Sequence, residues 1–273
     1  MKIPASFLQM VGLIALVPLS APAASIFAQW NFDDIGNAGT AVSAVGGYTG
    51  TFVNTGGRSV TGGGVSGAAG DYSFVPGGNT GSLSSNTASF LGALNTLSGG
   101  QQLSITYWQN VTTQASSTAF WANSPGATGS NRGLSAHSPW SDGNSYYDSS
   151  GCCDASNRIS GALGATLGTW QLMSFTYSAG TKTIHRDSTQ IATGTGALAL
   201  NTNFDAFIIG NGMNGTEGMN AQIDNFTIWN GALTPAEITA LAVRPVPEPA
   251  SALLGILAGA AIVGRRRRRP VTA

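Results

Sequence analysis

The sequence predicts a single all-β domain, a sandwich of two antiparallel sheets with one short helix near its C-terminal end. Three observations predict it. Runs that alternate apolar and polar residues recur along the chain, as half-buried strands require. Clusters of Gly, Ser, Asn and Asp punctuate them as turns, and helical periodicity is scarce. Once the terminal segments are set aside, about 220 residues remain, a length that all-β sandwiches fill as one unit.

In chain order, Lys2 supplies a positive start, Phe7 to Leu19 an apolar stretch and Ala21-Pro22-Ala23 an A-x-A cleavage pattern. Residues 1–23 are therefore expected to be a secretory signal peptide, and the folded domain to span 24–244. From Ile35 to Gly70 glycine dominates, with islands such as Thr51-Phe52-Val53, which predicts long loops with one or two edge strands. Gln102 to Val111 sets Leu103, Ile105 and Tyr107 against Ser104, Thr106 and Trp108. A second run sets Gln171, Met173, Phe175 and Tyr177 against Trp170, Leu172, Ser174 and Thr176, and both are expected as central strands. Lys182–Arg186 and Thr189–Ala192 flank Asp187-Ser188 as a hairpin. Strands at Ala206–Ile209 and Gln222–Trp229 follow, with Trp229 expected in the core. Thr234-Pro235-Ala236-Glu237 then combines a hydroxyl N-cap, proline at the first helical position and glutamate three residues after the cap. This predicts a helix to about Ala242, with Ile238 and Leu241 on its apolar face.

The C-terminal tail has its own chemistry. Pro247-Glu248-Pro249 precedes an apolar helix over Ala252 to Val263 and five arginines, Arg265, Arg266, Arg267, Arg268 and Arg269. Only 15 uncharged residues lie between Ala250 and Gly264, fewer than the roughly 20 of a stable span. The arginines exclude a buried core helix and would stay on the cytoplasmic side, so the tail predicts a marginal, temporary inner-membrane anchor with the domain outside. The combination resembles the PEP-CTERM sorting signal (residues 245–269), which implies recognition and cleavage by an exosortase in a Gram-negative bacterium and delivery to the cell surface or extracellular matrix.

Charge narrows the partners. The whole chain balances 12 basic against 12 acidic residues, but Lys2 and Arg265–Arg269 are six of the basic ones, which leaves residues 24–249 at −6. An acidic domain without a basic patch excludes nucleic acid as a partner and suits an extracellular surface.

The body of the chain resembles the laminin-G-like, concanavalin A-like jelly roll. The resemblance rests on Trp30-Asn31-Phe32-Asp33, on Gly168-Thr169-Trp170-Gln171 with the hairpin after it, and above all on Ile223-Asp224-Asn225-Phe226-Thr227-Ile228-Trp229 followed by Ala232-Leu233-Thr234-Pro235-Ala236-Glu237-Ile238. It covers Ala28 to Leu241 and implies two antiparallel sheets packed face to face.

The densest group of chemistry-bearing residues is Trp140, Asp142, Asn144, Tyr146 and Asp148, followed by Cys152, Cys153, Asp154 and Arg158. Aromatic faces stack on sugar rings, and carboxylates with carbonyls could hold Ca²⁺. The plain alternative is a hairpin, with Asp142-Gly143 as its turn and Asn144 to Asp148 as a strand. Cys152 and Cys153 are the only cysteines. A trans peptide sets their Cα atoms about 3.8 Å apart, below the roughly 4.4–6.8 Å of ordinary disulfides. A vicinal disulfide or an intermolecular bridge both remain open.

An enzyme is not expected. Related sandwiches that hydrolyse glycans place two glutamates around an aspartate on one strand, because retaining hydrolysis needs two carboxyl groups about 5 Å apart. Here Glu217 lies in a Gly/Asn-rich loop, Glu237 in the capping box and Glu248 in the tail; His137 and His185 are the only histidines. Asp33 and Asp224 are expected to approach one another at a sheet edge, as cap or turn contacts. Asn110, Asn214 and Asn225 match the glycosylation pattern, which carries little weight in a bacterial chain. The sequence thus predicts an exported noncatalytic protein that contacts extracellular polysaccharide. A structural or adhesive protein and an unrecognised hydrolase or lyase are the alternatives.

Overall fold

The computed structural model describes residues 23–127, 131–213 and 215–245. The signal peptide, the sorting tail and Asn214 lie outside the described residues. The elements run β1 (Ser25–Trp30), β2 (Thr40–Val42), β3 (Thr49–Val53), β4 (Gly57–Arg58), β5 (Phe74–Val75), β6 (Ser82–Ser84), α1 (Ala88–Gly99), β7 (Gln102–Val111) and β8 (Thr118–Asn123). They continue with β9 (Arg132–His137), β10 (Asn144–Ser149), β11 (Arg158–Ala162), β12 (Trp170–Ser178), β13 (Thr181–Arg186), β14 (Thr189–Gly194), β15 (Ala206–Ile209), β16 (Ala221–Asn230) and α2 (Pro235–Leu241).

Among the described residues these strands form two eight-stranded sheets. Sheet I has the order β14-β13-β12-β7-β16-β5-β4, with β1 also pairing β16. Sheet II has the order β11-β10-β9-β8-β15-β6-β3-β2. The two-sheet antiparallel sandwich is thus the observed fold.

Strand alternation builds the core. Leu103, Ile105 and Tyr107 of β7 and Met173, Phe175 and Tyr177 of β12 point between the sheets, all buried. The Tyr107 ring stacks on Phe175 and Phe226 at 5.9 and 5.7 Å, and Phe120 from sheet II meets both phenylalanines edge-on. Each such ring removes some 150–250 Å² from water, which makes this the dominant stabilising cluster.

The outer face of sheet I is covered as well. Val65, Trp108, Trp170 and Leu172 form a second apolar cluster against Leu241 and Ala242. The capping box predicted for this helix is present, with the Thr234 side chain accepting from Glu237 N and Glu237 accepting from Thr234 N. Trp229 corrects its sequence expectation. It lies half-buried on the outer face, its Nε1 donating to Thr106 Oγ1 at 2.9 Å, beside Leu233 and Leu241.

Helix α1 was not legible in the sequence. Its stretch carries Gly92, Asn95, Thr96 and Ser98, poor helix formers, yet Phe90 and Leu94 sit at i and i+4 and are fully buried. The Phe90 ring meets Trp30, Tyr48 and Phe207 edge-on, so tertiary burial overrides propensity.

The glycine-rich third holds three short strands, and Arg58 organises it. Its guanidinium donates to the carbonyls of Phe32, Asn37, Asp34 and Thr40 and to Asp34 Oδ1, at 2.7–2.9 Å. At the opposite end of the sandwich the outer strands of the two sheets, β11 and β14, close on each other. A Cβ at Gly161 would stand 2.2 Å from the Ile191 carbonyl oxygen, and one at Gly194 would stand 2.5 Å from Ile159 Cγ2.

Candidate functional site

Register sets the site on the outer face of sheet II. Tyr147 points into the core, fully buried, so Asn144, Tyr146 and Asp148 of β10 point outward. The ladder places Tyr146 opposite His137 and Asp148 opposite Ser135 on β9, and Asp148 opposite Arg158 on β11. Next in the sheet, β8 sets Trp121 opposite Ser135 and Thr118 opposite His137.

Asp148 is the anchor of this face. Arg158 binds it through two donors, Nε to Oδ1 at 2.6 Å and Nη2 to Oδ2 at 2.7 Å, and Arg132 Nη1 reaches Oδ2 at 3.1 Å. Asp148 is 0% exposed. Burial pushes its pKa upward, but the hydrogen bonds from Arg158 and then the pull of His137 outweigh that and hold it at about 2. The guanidiniums are themselves covered by aromatic rings. Arg132 lies 4.4 Å over Trp121 and Arg158 4.6 Å over Tyr146, the geometry of cation–π attraction.

His137 links Asp148 to a second carboxylate. Its Nε2 stands 3.3 Å from Asp148 Oδ2. Its Nδ1 is 2.8 Å from Thr118 Oγ1, which donates to Glu217 Oε2 at 2.7 Å. Burial lowers its pKa despite the pull of Asp148. The ring packs edge-on against Trp140 at 4.8 Å, and Trp140 lies 6.5 Å from Tyr146, nearly perpendicular.

The turn before β10 presents the remaining side chains. Asp142 is exposed; it accepts from Asn144 N and Nδ2, both at 2.9 Å, and from the Tyr146 hydroxyl. The hydrogen bond from Tyr146, then those from Asn144, lower its pKa. Trp140, Asp142, Asn144 and Tyr146 thus converge on one accessible patch. Asp148, expected as a ligand contact, lies beneath it and positions Arg158 instead. A calcium ion does not fit beside Asp148, since arginines occupy both carboxylate oxygens. Among the described residues no cluster of three or more His, Cys, Asp or Glu side chains has a metal-holding arrangement. The arginines, His137, Glu217 and Trp121 complete a site that the hairpin alone did not reveal.

The loop after β10 carries the cysteines. Cys152 and Cys153 are disulfide-bonded to each other, and Arg132 Nη1 lies 3.8 Å from Cys153 Sγ. Lys182, fully buried on β13, fastens this loop by donating to the carbonyl oxygens of Tyr147 and Asn157. Burial brings its pKa down to about 8.

Other candidates serve the scaffold. Asp33 accepts from Tyr72 N at 2.8 Å and Asp224 from Val65 N at 2.7 Å, so both tie the 59–72 loop to the sheet. Asp224 is 0% exposed, and burial, reinforced by Asp71 and Asp33, raises its pKa to about 8. His185 is 3% exposed on the outer face of sheet I, its pKa lowered by burial.

With this geometry established, the family follows from the sequence match: a family model described as the concanavalin A-like lectin/glucanases superfamily matches residues 77–239, more than half of the chain. The chain belongs to that superfamily. No curated protein sequence matches it. Among solved structures, this concanavalin A-like chain is similar to domain 4 of a GH43 extracellular arabinanase from Geobacillus stearothermophilus. There the identity is 18%, covering 81% of this chain and 99% of the other, with a TM-score of 0.59. It is also similar to the receptor binding domain of a botulinum neurotoxin C/D mosaic serotype (10% identity, 81% and 51% covered, TM-score 0.56). A third likeness is to Trypanosoma rangeli sialidase (13% identity, 79% and 32% covered, TM-score 0.56). The concanavalin A-like chain spans about half of the toxin chain and a third of the sialidase chain. At these identities the likenesses show the fold.

No helix among the described residues is long and apolar enough to cross a membrane, and the apolar tail lies outside them.

Proposed function

We propose that this chain is an exported, noncatalytic glycan-binding domain that works at the cell surface or in the exopolysaccharide layer of a Gram-negative bacterium. The observation that carries this reading is the patch of Trp140, Tyr146, Asp142 and Asn144 on one outer sheet face. Two half-buried aromatic rings 6.5 Å apart flank hydrogen-bonding side chains, the combination that recognises a sugar ring and its hydroxyls. Rings already clamped by Arg158 and His137 lose little freedom on binding, which favours affinity. The arabinanase domain of similar fold was solved with arabinotriose, which is consistent with a small neutral glycan as ligand.

Catalysis is not part of the proposal. Asp148, the buried carboxylate of the site, stays ionised to about pH 2 with both oxygens bound to arginine, so it has neither the proton of a general acid nor the free oxygen of a nucleophile. Export and sorting rest on the signal peptide at 1–23 and the Pro247-Glu248-Pro249 tail with its apolar helix and arginines. In this proposal an exosortase and the inner membrane are transient partners and extracellular polysaccharide the lasting one.

A glycan array probed with residues 24–244, with and without a calcium chelator, tests the reading. Selective retention that survives the chelator supports it. A blank array overturns it in favour of a structural or adhesive protein with a protein partner.

A further inference from the structure

We propose that the Cys152–Cys153 disulfide is a thiol-exchange site, at which an external thiolate attacks Cys152 and Cys153 departs as a thiolate against Arg132. The inference rests on placement and is independent of glycan binding. Cys153 is exposed and Cys152 half-buried at the surface of the 150–157 loop, so the bond is open to a small thiol. Many structural disulfides of secreted domains are enclosed by the core they staple. This one joins neighbours, closes no loop of chain, and contributes nothing of the loop-closure effect by which disulfides stabilise a fold. Its loop is already fastened without it, by Lys182 on the carbonyls of Tyr147 and Asn157 and by Gly151 N on the Arg132 carbonyl at 2.7 Å.

The two sulfurs are not equivalent. Arg132 Nη1 stands 3.8 Å from the Cys153 sulfur, and a neighbouring cation stabilises a thiolate and makes it the better leaving group. Asp154, the nearest acid in sequence, turns its carboxylate to Ser156 N and Oγ at 3.0 and 2.6 Å. Asp148, which Arg132 also reaches, is bound through both oxygens by Arg158, so the two arginines keep a positive charge in excess beside Cys153. The first step forms a bond between the incoming sulfur and Cys152 Sγ and breaks the bond to Cys153, whose sulfur keeps the electron pair. A second external thiolate then attacks the first at the mixed disulfide, releasing Cys152 as thiolate. Two external thiols are oxidised to one disulfide and the cysteine pair is reduced. The Cys153 thiolate then competes with Asp148 for Arg132, so the exchange reaches the buried ion cluster through a single side chain.

The test uses full-length protein with the pair oxidised, incubated with reduced glutathione, quenched with iodoacetamide at intervals and mapped by peptide fragmentation. The expected first adduct carries glutathione on Cys152 and the alkyl group on Cys153, and Arg132→Gln slows its formation about tenfold, with Arg132→Lys between. Glutathione on Cys153 instead, or a pair that stays oxidised, overturns the proposal. Both outcomes are read on the unaltered chain and do not depend on a variant folding. An Arg132→Gln protein that keeps its circular dichroism spectrum and reacts at the original rate overturns it as well.

Discussion

Arg158 meets Asp148 side-on, with Nε 2.6 Å from one carboxylate oxygen and Nη2 2.7 Å from the other, while Arg132 takes a further position on the same carboxylate. One buried anion is therefore shared by two partly buried cations, and the three side chains together keep a net positive charge. Removing its charge strands both.

Asp148→Asn is expected to destabilise the domain by roughly 3–5 kcal/mol, the cost of leaving buried charges uncompensated. Arg158→Lys keeps the charge and loses the paired geometry, so its effect is smaller. Urea denaturation of the three proteins checks the order; equal midpoints for Asp148→Asn and the parent would refute it.

Two carboxylates shifted in opposite directions contribute opposing limbs to the pH profile. Asp148 has a folded pKa of about 2, below its unfolded value. Its contribution is complete above about pH 4 and disappears as pH falls through 2. Asp224, with a folded pKa of about 8, keeps a proton that the unfolded chain releases, so stability declines as pH rises from about 4 to 8. Asp224→Asn should flatten the decline between pH 4 and 8 and leave the acid limb in place. Melting temperatures measured across that range decide it, and parallel profiles for variant and parent would count against the assignment.

Trp140→Ala and Asp142→Ala are expected to weaken attachment to exopolysaccharide at least about tenfold, or 1.4 kcal/mol, with little change in melting temperature, because neither side chain belongs to the inter-sheet core. Isothermal titration with the glycan that an array selects gives the number. Normal binding by both folded variants would place the site elsewhere.

Gly161→Ala should cost about 1–3 kcal/mol through overpacking, since the new methyl meets the Ile191 backbone at 2.2 Å. Gly194→Ala meets the Cγ2 methyl of the Ile159 side chain, not backbone, and should cost less. Thermal melts of the pair test whether the corner is as tight as it stands.

Replacing Arg265–Arg269 with neutral residues, or Glu248 with alanine, should leave export intact and block release from the inner membrane. Mature protein of unchanged mass outside the cell in both variants would remove the sorting proposal.

The strands of sheet I were legible because β7 and β12 alternate over nine or ten residues, and α2 because its capping box is written in consecutive residues. The hairpin at Trp140 to Asp148 was legible for the same local reason. Its chemistry was not, because Arg132 and His137 reach Asp148, and Trp121 packs on both of them, across ladders of β8 and β9 whose register no local pattern specifies. Helix α1 was missed because Gly92, Thr96 and Ser98 argue against a helix that burial of Phe90 and Leu94 holds in place. Arg58 gave little sign of its role, since four of its five hydrogen bonds go to backbone carbonyls, which any sequence supplies.

A sheet edge is a template on which a stranger's strand can add, and this sandwich leaves little of one open. The strands β11 and β14 pack closely on one another, with Gly161 against the Ile191 backbone and Gly194 against the Ile159 side chain. The strands left at the other margin are three residues long in β2 and two in β4, and Val45 bridges β1 at Gln29. Crowded beside its own copies, such a molecule offers neighbours little ladder to extend. Long, flat open edges are what seed fibres, and at this other margin the strands are too short to make one.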